Sequence, residues 1–248
     1  MAVCQGRYRS GEGRAEVNSK FRIQYLNVMK RLVMILLAVM ATLPALAQSG
    51  FGDYYDCRLA AHRKAGMPTG AVVWMGDSLT EQAWWGFLTK ESPIVNRGIG
   101  GDNTRGMLAR LPEILDFAPR KIFLMAGVND LSGNRPVEEV AGNVRKMLEM
   151  IRERVPGCQV YLQSVITPNN DVLAYAYIKN KQHLMRALNK EYQAMCEEGL
   201  ATWVDLTPLM HNEQGELKEE LTKDGIHLHP EAYEIWVAHL KKMKYLRK

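Results

Sequence analysis

The sequence predicts an α/β protein: a three-layer α/β/α sandwich on a five-stranded parallel sheet. Two observations lead there. Short apolar runs recur without polar alternation, as strands covered on both faces require. Amphipathic stretches fall between them, so the order is strand, helix, strand, helix, and parallel strands with right-handed crossovers follow. The 248 residues suffice for one such domain and are few for two.

The strand candidates, in order, are Ala71 to Met75, Ile94 to Asn96, Lys121 to Met125, Gln159 to Leu162 and Thr202 to Leu206. Helical spacing marks four segments. Thr104 to Leu115 carries Met107, Leu108, Leu111 and Leu115 on one stripe, and Val137 to Arg154 carries Val140, Val144, Met147, Leu148 and Ile151. Tyr175 to Glu198 is long and mixed. Pro230 to Leu246 opens on a first-turn proline. Residues 49–69 form a polar approach without a clear period.

Residues 1–47 read as a leader ahead of a domain at 48–248. Met29-Lys30-Arg31 is a basic run, Leu32 to Ala47 is largely apolar, and Ala45-Leu46-Ala47 has the small-x-small form of a cleavage site before Gln48. The apolar run falls short of the roughly 20 residues that span a bilayer. Met29 is the expected initiator. The prediction is therefore an exported protein, periplasmic or secreted, with no stable membrane insertion once the leader is cut.

Removing the leader takes seven basic and two acidic side chains from totals of 32 and 27, leaving 25 of each. The formal charge of +5 belongs to the leader, and a near-neutral domain lacks the basic footprint of a nucleic-acid binder. Cys57, Cys158 and Cys196 show neither CxxC nor metal-ligand spacing and read as inert or buried thiols.

Open parallel sheets carry their chemistry in loops after the carboxyl ends of strands. Three polar clusters stand there, and a fourth lies beyond the fifth strand. Gly76-Asp77-Ser78 follows the first strand and puts a hydroxyl at a strand-to-helix turn; its plain alternative is a helix cap. Gly98-Ile99-Gly100-Gly101 follows the second, where backbone N–H groups can face a ligand; Asn103 stands where a dinucleotide fingerprint needs glycine. Gly127-Val128-Asn129-Asp130 follows the third and supplies a side-chain amide. Asp224-Gly225-Ile226-His227 comes last, with a carboxylate three residues before an imidazole, suited to fixing its tautomer. His227 with His229 is a competing metal reading, but no further ligand is spaced to join them.

These four blocks, in this order, resemble those of the SGNH/GDSL hydrolases. The resemblance spans 76 to 227 and implies a flavodoxin-like sandwich. It also implies a serine esterase that needs no metal or organic cofactor. Ser78 would be the nucleophile, His227 the base and Asp224 its orienting group. The backbone N–H groups of Ser78 and Gly101 and the amide of Asn129 would form the oxyanion hole. Asp77, Trp84 and Trp85 are assigned to substrate binding, the two tryptophans as stacking surfaces whose alternative is the core. The expected substrate is a small-molecule or glycan ester, acetylated carbohydrate above all. A lysophospholipase or thioesterase of the same family, or a non-catalytic carbohydrate-binding module, is the alternative.

Overall fold

A computed structural model of the protein describes Met29 and residues 51–247. Apart from Met29, the predicted leader lies outside the described residues. Five strands form one sheet: β1 (Val72–Gly76), β2 (Ile94–Gly98), β3 (Lys121–Leu124), β4 (Gln159–Gln163) and β5 (Thr202–Val204). Their spatial order is β2-β1-β3-β4-β5, and every pairing is parallel. The three-layer sandwich expected from the sequence is present. The order reverses beside β1, so the crevice opens where β1 and β3 end.

Successive strand residues face opposite layers. On one face Val73, Met75, Ile122, Leu124 and Leu162 pack with buried side chains of α4 (Thr104–Leu115), α6 (Val137–Arg154) and α7 (Gln182–Glu197). On the other, Val72, Trp74, Phe123, Tyr161 and Val204 pack with α9 (Pro230–Lys242). This second face is aromatic. Trp74 stacks on Trp85 at 3.4 Å between centroids and on Phe123 at 4.5 Å, with Trp236 edge-on at 6.0 Å. Such pairs contribute about 0.5–1.5 kcal/mol each beyond area burial.

Four short helices complete the set: α2 (Ser78–Glu81), α3 (Trp85–Leu88), α5 (Val128–Ser132) and α8 (Thr207–Met210). So does α1 (Asp53–Ala65), in the segment read as an approach without period. Only Tyr55 and His62 of α1 are buried, so its apolar face is too sparse to show in the sequence. The segment from Tyr175 is likewise not one helix. A 3-10 turn, Ala176–Ile178, comes first, and Asn180, at φ 63°, breaks the helical path before α7 begins. Lys244, at φ 62°, ends α9 before Leu246. Beyond Val204 the ladder is replaced by a Leu206 N–H bond to the Ser164 hydroxyl (2.9 Å), so β5 stops earlier than expected. Among the described residues no helix is long and apolar enough to cross a membrane.

Candidate active site

β1 delivers the chain directly into α2. Asp77 is the N-cap: its Oδ1 accepts from the Leu79 N–H (3.0 Å), which sets Ser78 at the first position of the turn. The Tyr233 hydroxyl, on α9, donates to the Leu79 carbonyl (2.9 Å) and ties the turn down from the other side. Gly98 lets the end of β2 lie against α2; a Cβ there would sit 2.2 Å from the Glu81 nitrogen.

The last loop closes over this turn. His227 Nε2 lies 3.0 Å from Ser78 Oγ, and His227 Nδ1 lies 2.7 Å from Asp224 Oδ2. The other carboxylate oxygen, Asp224 Oδ1, accepts from the backbone N–H groups of His227 (2.7 Å) and Ile226 (3.1 Å). Both carboxylate oxygens are thus engaged, and the imidazole is held at both nitrogens. The His227 carbonyl accepts from Thr222 Oγ1 and from Lys223 N–H, which fixes the loop from below. Gly225 takes φ 89°, and a Cβ there would approach Leu173 Cα to 2.6 Å. The segment 169–174 therefore lies flush on the catalytic loop, with Asn169 N–H bonded to the Gly225 carbonyl and Ala174 N–H to that of Asp224.

The second and third blocks stand beside Ser78. Gly100 faces the Ser78 Cβ, and its N–H donates to Glu81 Oε2. Glu81 also accepts from Tyr54 Oη (2.9 Å) and pairs with Arg58, so α1 and α2 together brace the glycine turn. The Asn129 side-chain amide, at the start of α5, donates one hydrogen to the Asp102 carbonyl (2.9 Å). An amide of this kind carries two donors, so its other hydrogen is left for a ligand. Asp102 in turn holds the buried Arg110 at 2.9 Å, and Arg110 also donates to the carbonyls of Arg97 and Gly76. Asp130 accepts from the Thr104 N–H and hydroxyl (2.9 and 2.8 Å).

Burial acts differently on these carboxyls. It raises Asp77 to about 7, because one backbone donor offsets little of the desolvation and Oδ2 has no partner. It raises Asp102 to about 6 against the pull of Arg110, and it raises Asp130 as well. Burial pushes Asp224 up too, but the hydrogen bonds from the His227 ring and the two amides outweigh it. The Asp224 carboxyl therefore lies below its ordinary value and is ionised at neutral pH. A hydroxyl, an imidazole and a carboxylate in series can move a proton off the hydroxyl and stabilise the imidazolium that results.

A model of the GDSL-like Lipase/Acylhydrolase family matches residues 69–235. The chain belongs to that family. It is a carboxylic ester hydrolase of the α/β class. It is similar to an arylesterase of Vibrio mimicus, 27% identical over 66% of this chain and 82% of the relative. It is also similar to a Bos taurus isoamyl acetate-hydrolyzing esterase 1 homolog, 28% identical over 68% and 79%. The solved structure of a GDSL-like lipase from Bacteroides thetaiotaomicron is 25% identical. It superposes with a TM-score of 0.66, over 77% of this chain and 98% of that one.

Two of the three residues assigned to substrate binding do not reach the cleft of the hydrolase. Asp77 is 1% exposed, and its carboxylate is spent capping α2. Trp85 is 2% exposed, locked on Trp74, with its Nε1 donating to the Thr80 carbonyl (2.9 Å). Trp84 alone is open, at 79% exposure. With Phe87, Leu88, Leu228, Pro230 and Tyr233 it lines a groove of about 400 Å³. Gln82 and Lys223, joined at 2.8 Å, also line that groove, whereas Ser78, Asp224 and His227 do not. His229 lines the groove. The three cysteines are free, and Cys57 is exposed rather than buried.

Sequence reading missed Tyr175. Its ring stands edge-on to His227 at 5.8 Å, and its hydroxyl lies 3.4 Å from Asp224 Oδ2. No local signal marks it. Arg110 did leave one: it falls on the buried stripe of α4 with Met107, Leu111 and Ile114.

Proposed function

We propose that this hydrolase removes short acyl groups, acetyl above all, from a carbohydrate ester through an acyl-enzyme on Ser78. The series Ser78–His227–Asp224, at 3.0 and 2.7 Å, is the observation that carries the chemistry. Ser78 Oγ attacks the ester carbonyl while His227 Nε2 takes its proton; the C–O bond then breaks, and the same proton passes to the leaving alcohol. Water, deprotonated by His227, releases the acid and restores Ser78. The N–H groups of Ser78 and Gly101 and the Asn129 amide bind the oxyanion, each such donor being worth about 100-fold in turnover.

Trp84 supports the carbohydrate. An exposed indole beside the polar Gln82, Lys223 and Glu234 suits a sugar ring, whose apolar face stacks while its hydroxyls bond the rim. The names of relatives such as the acetate-hydrolyzing esterase and a human platelet-activating factor acetylhydrolase subunit point to acetyl transfer. One observation favours a second reading. Phe87 is 86% exposed on the same groove, which an alkyl chain would also fill, as in a lysophospholipase or thioesterase. Export, with a mature chain from Gln48, belongs to the same proposal and rests on the leader pattern of residues 29–47.

Labelling by a fluorophosphonate, with Ser78→Ala as control, tests the nucleophile; equal labelling of the two proteins would refute it. Hydrolysis of acetyl and octanoyl p-nitrophenyl esters ranks the acyl groups, with acetyl expected to be faster. Acetate release from acetylated glycans should fall in Trp84→Ala, while acetyl p-nitrophenyl turnover stays near the parent's.

A further inference from the structure

The cavity between α1, α4 and the end of β2 is separate from the catalytic series. It measures about 170 Å³, and Leu59, His62, Met67, Arg97, Ile114 and Phe117 line it. Three guanidinium groups border it. Arg110 is neutralised by Asp102 and Arg63 by Glu113, but Arg97 has no carboxylate within ion-pair distance among the described residues. Arg97 is 8% exposed and donates to the Gly66 carbonyl at 2.5 Å. A buried cation without a counter-charge is costly, and arginine does not escape the cost by losing its proton.

A second feature points the same way. His62 is 9% exposed, and its Nδ1 has no hydrogen-bond partner. Burial, then the charges of Arg97 and Arg110, push His62 down to about 3, so the ring is neutral at physiological pH. A neutral imidazole with Nδ1 protonated is a donor to an anion. Of the other lining residues, Glu113 is engaged by Arg63, and Leu59, Met67, Ile114 and Phe117 are apolar.

We infer that this cavity binds a short-chain monocarboxylate, its carboxylate on the Arg97 guanidinium and His62 Nδ1 and its alkyl end among Leu59, Met67, Ile114 and Phe117. One guanidinium supplies one countercharge, which suits a monoanion. The apolar walls favour an anion that carries a tail. The volume lies below the roughly 300–1,000 Å³ of sites for drug-sized ligands, which keeps the acid short. Ester hydrolysis releases acids of this class, so the ligand is chemically akin to the enzyme's own product. Arg110 links the cavity to the Asn129 side of the site, since it lines the cavity and holds Asp102, whose carbonyl accepts from the Asn129 amide.

The test is titration of the full chain, isotope-labelled at histidine, with butyrate, butanol or inorganic phosphate, followed through the ring resonances. Butyrate should shift His62 saturably, phosphate should bind more weakly, and butanol should leave the ring unmoved. Arg97→Met should weaken butyrate by about tenfold or more, the usual scale for losing a hydrogen bond to a charged group. Leu59→Trp keeps the cation and fills the space, so it should weaken butyrate even if Arg97→Met fails to fold. The proposal is overturned if butyrate shifts only His227, if butanol or phosphate matches it, or if a folded variant of either kind binds it unchanged.

Discussion

The two sides of Ser78 differ in what surrounds a carboxylate. On the cleft side Asp224 receives a ring N–H and two backbone amides, and they hold it ionised. On the sheet side Asp77 receives one amide, and burial, with the charges of Asp102 and Asp130 behind it, raises it to about 7. The lesson is that burial and donors act together: Asp77 is closed off from water with one amide donor, whereas Asp224 is only part-buried and has three. The cleft side holds charge for proton transfer; the sheet side holds the turn in place. Substitutions should separate the two, with cleft changes acting on turnover and sheet changes acting on stability.

The largest effect should come from the cleft. Ser78→Ala or His227→Ala should lower kcat by about 10⁴-fold or more while leaving urea unfolding near the parent's. Asp224→Asn should retain more activity than either, since it disturbs the imidazole without removing a reacting group. Steady-state kinetics beside unfolding curves check the split. A Ser78→Ala protein with parental turnover would end the assignment.

Asp102 should break the separation, because it belongs to both sides. Its carbonyl positions the Asn129 amide, and its carboxylate neutralises Arg110. Asp102→Ala strands that guanidinium in the interior, and breaking a buried pair in this way costs about 3–5 kcal/mol. Chemical denaturation should show the loss, with turnover falling alongside it. Replacing both partners together, Asp102→Asn with Arg110→Met, should recover part of the stability.

These supporting residues explain where sequence reading succeeds and where it stops. Strand positions, α4 and α6 were legible because apolar spacing is a local property. So were the first three blocks, because each sits at a strand end, and the fourth, because a carboxylate three residues before an imidazole is a local pattern. Trp84 and Trp85 were not separable: both are tryptophan, and which one turns inward depends on where α3 begins and on the surface Trp74 offers. Asp77 stands beside the nucleophile in sequence, yet its carboxylate turns back to cap the helix. Burial of that kind is a tertiary fact that motif position does not carry.

Asp77→Asn sharpens the comparison through pH. Asn resembles the protonated carboxyl, and its carbonyl can still accept from Leu79. Asp77 in the folded protein holds its proton to about 7, whereas its ordinary value is 3.8, so the native state binds more protons between those limits. Its contribution to stability therefore falls as pH rises through that window. The variant should be more stable than the parent above pH 7, by about 1 kcal/mol or more, and nearly equal to it near pH 4. Thermal unfolding across this range checks the sign; a gain confined to low pH would contradict it.

The smallest effect should fall at Tyr175, the only aromatic ring near both His227 and Asp224 among the described residues. At 3.4 Å its hydroxyl is a long, weak donor to Asp224 Oδ2, beside a 2.7 Å bond from His227 to the same oxygen. Tyr175→Phe keeps the edge-on ring and removes only that contact, so kcat/KM should change by no more than about threefold. Tyr175→Ala removes the ring wall, frees the imidazole to tilt and should cost about tenfold, mainly in kcat. Equal losses in the two variants would place the function of Tyr175 in its hydroxyl and make the cleft side more dependent on that second side-chain donor than the distances indicate.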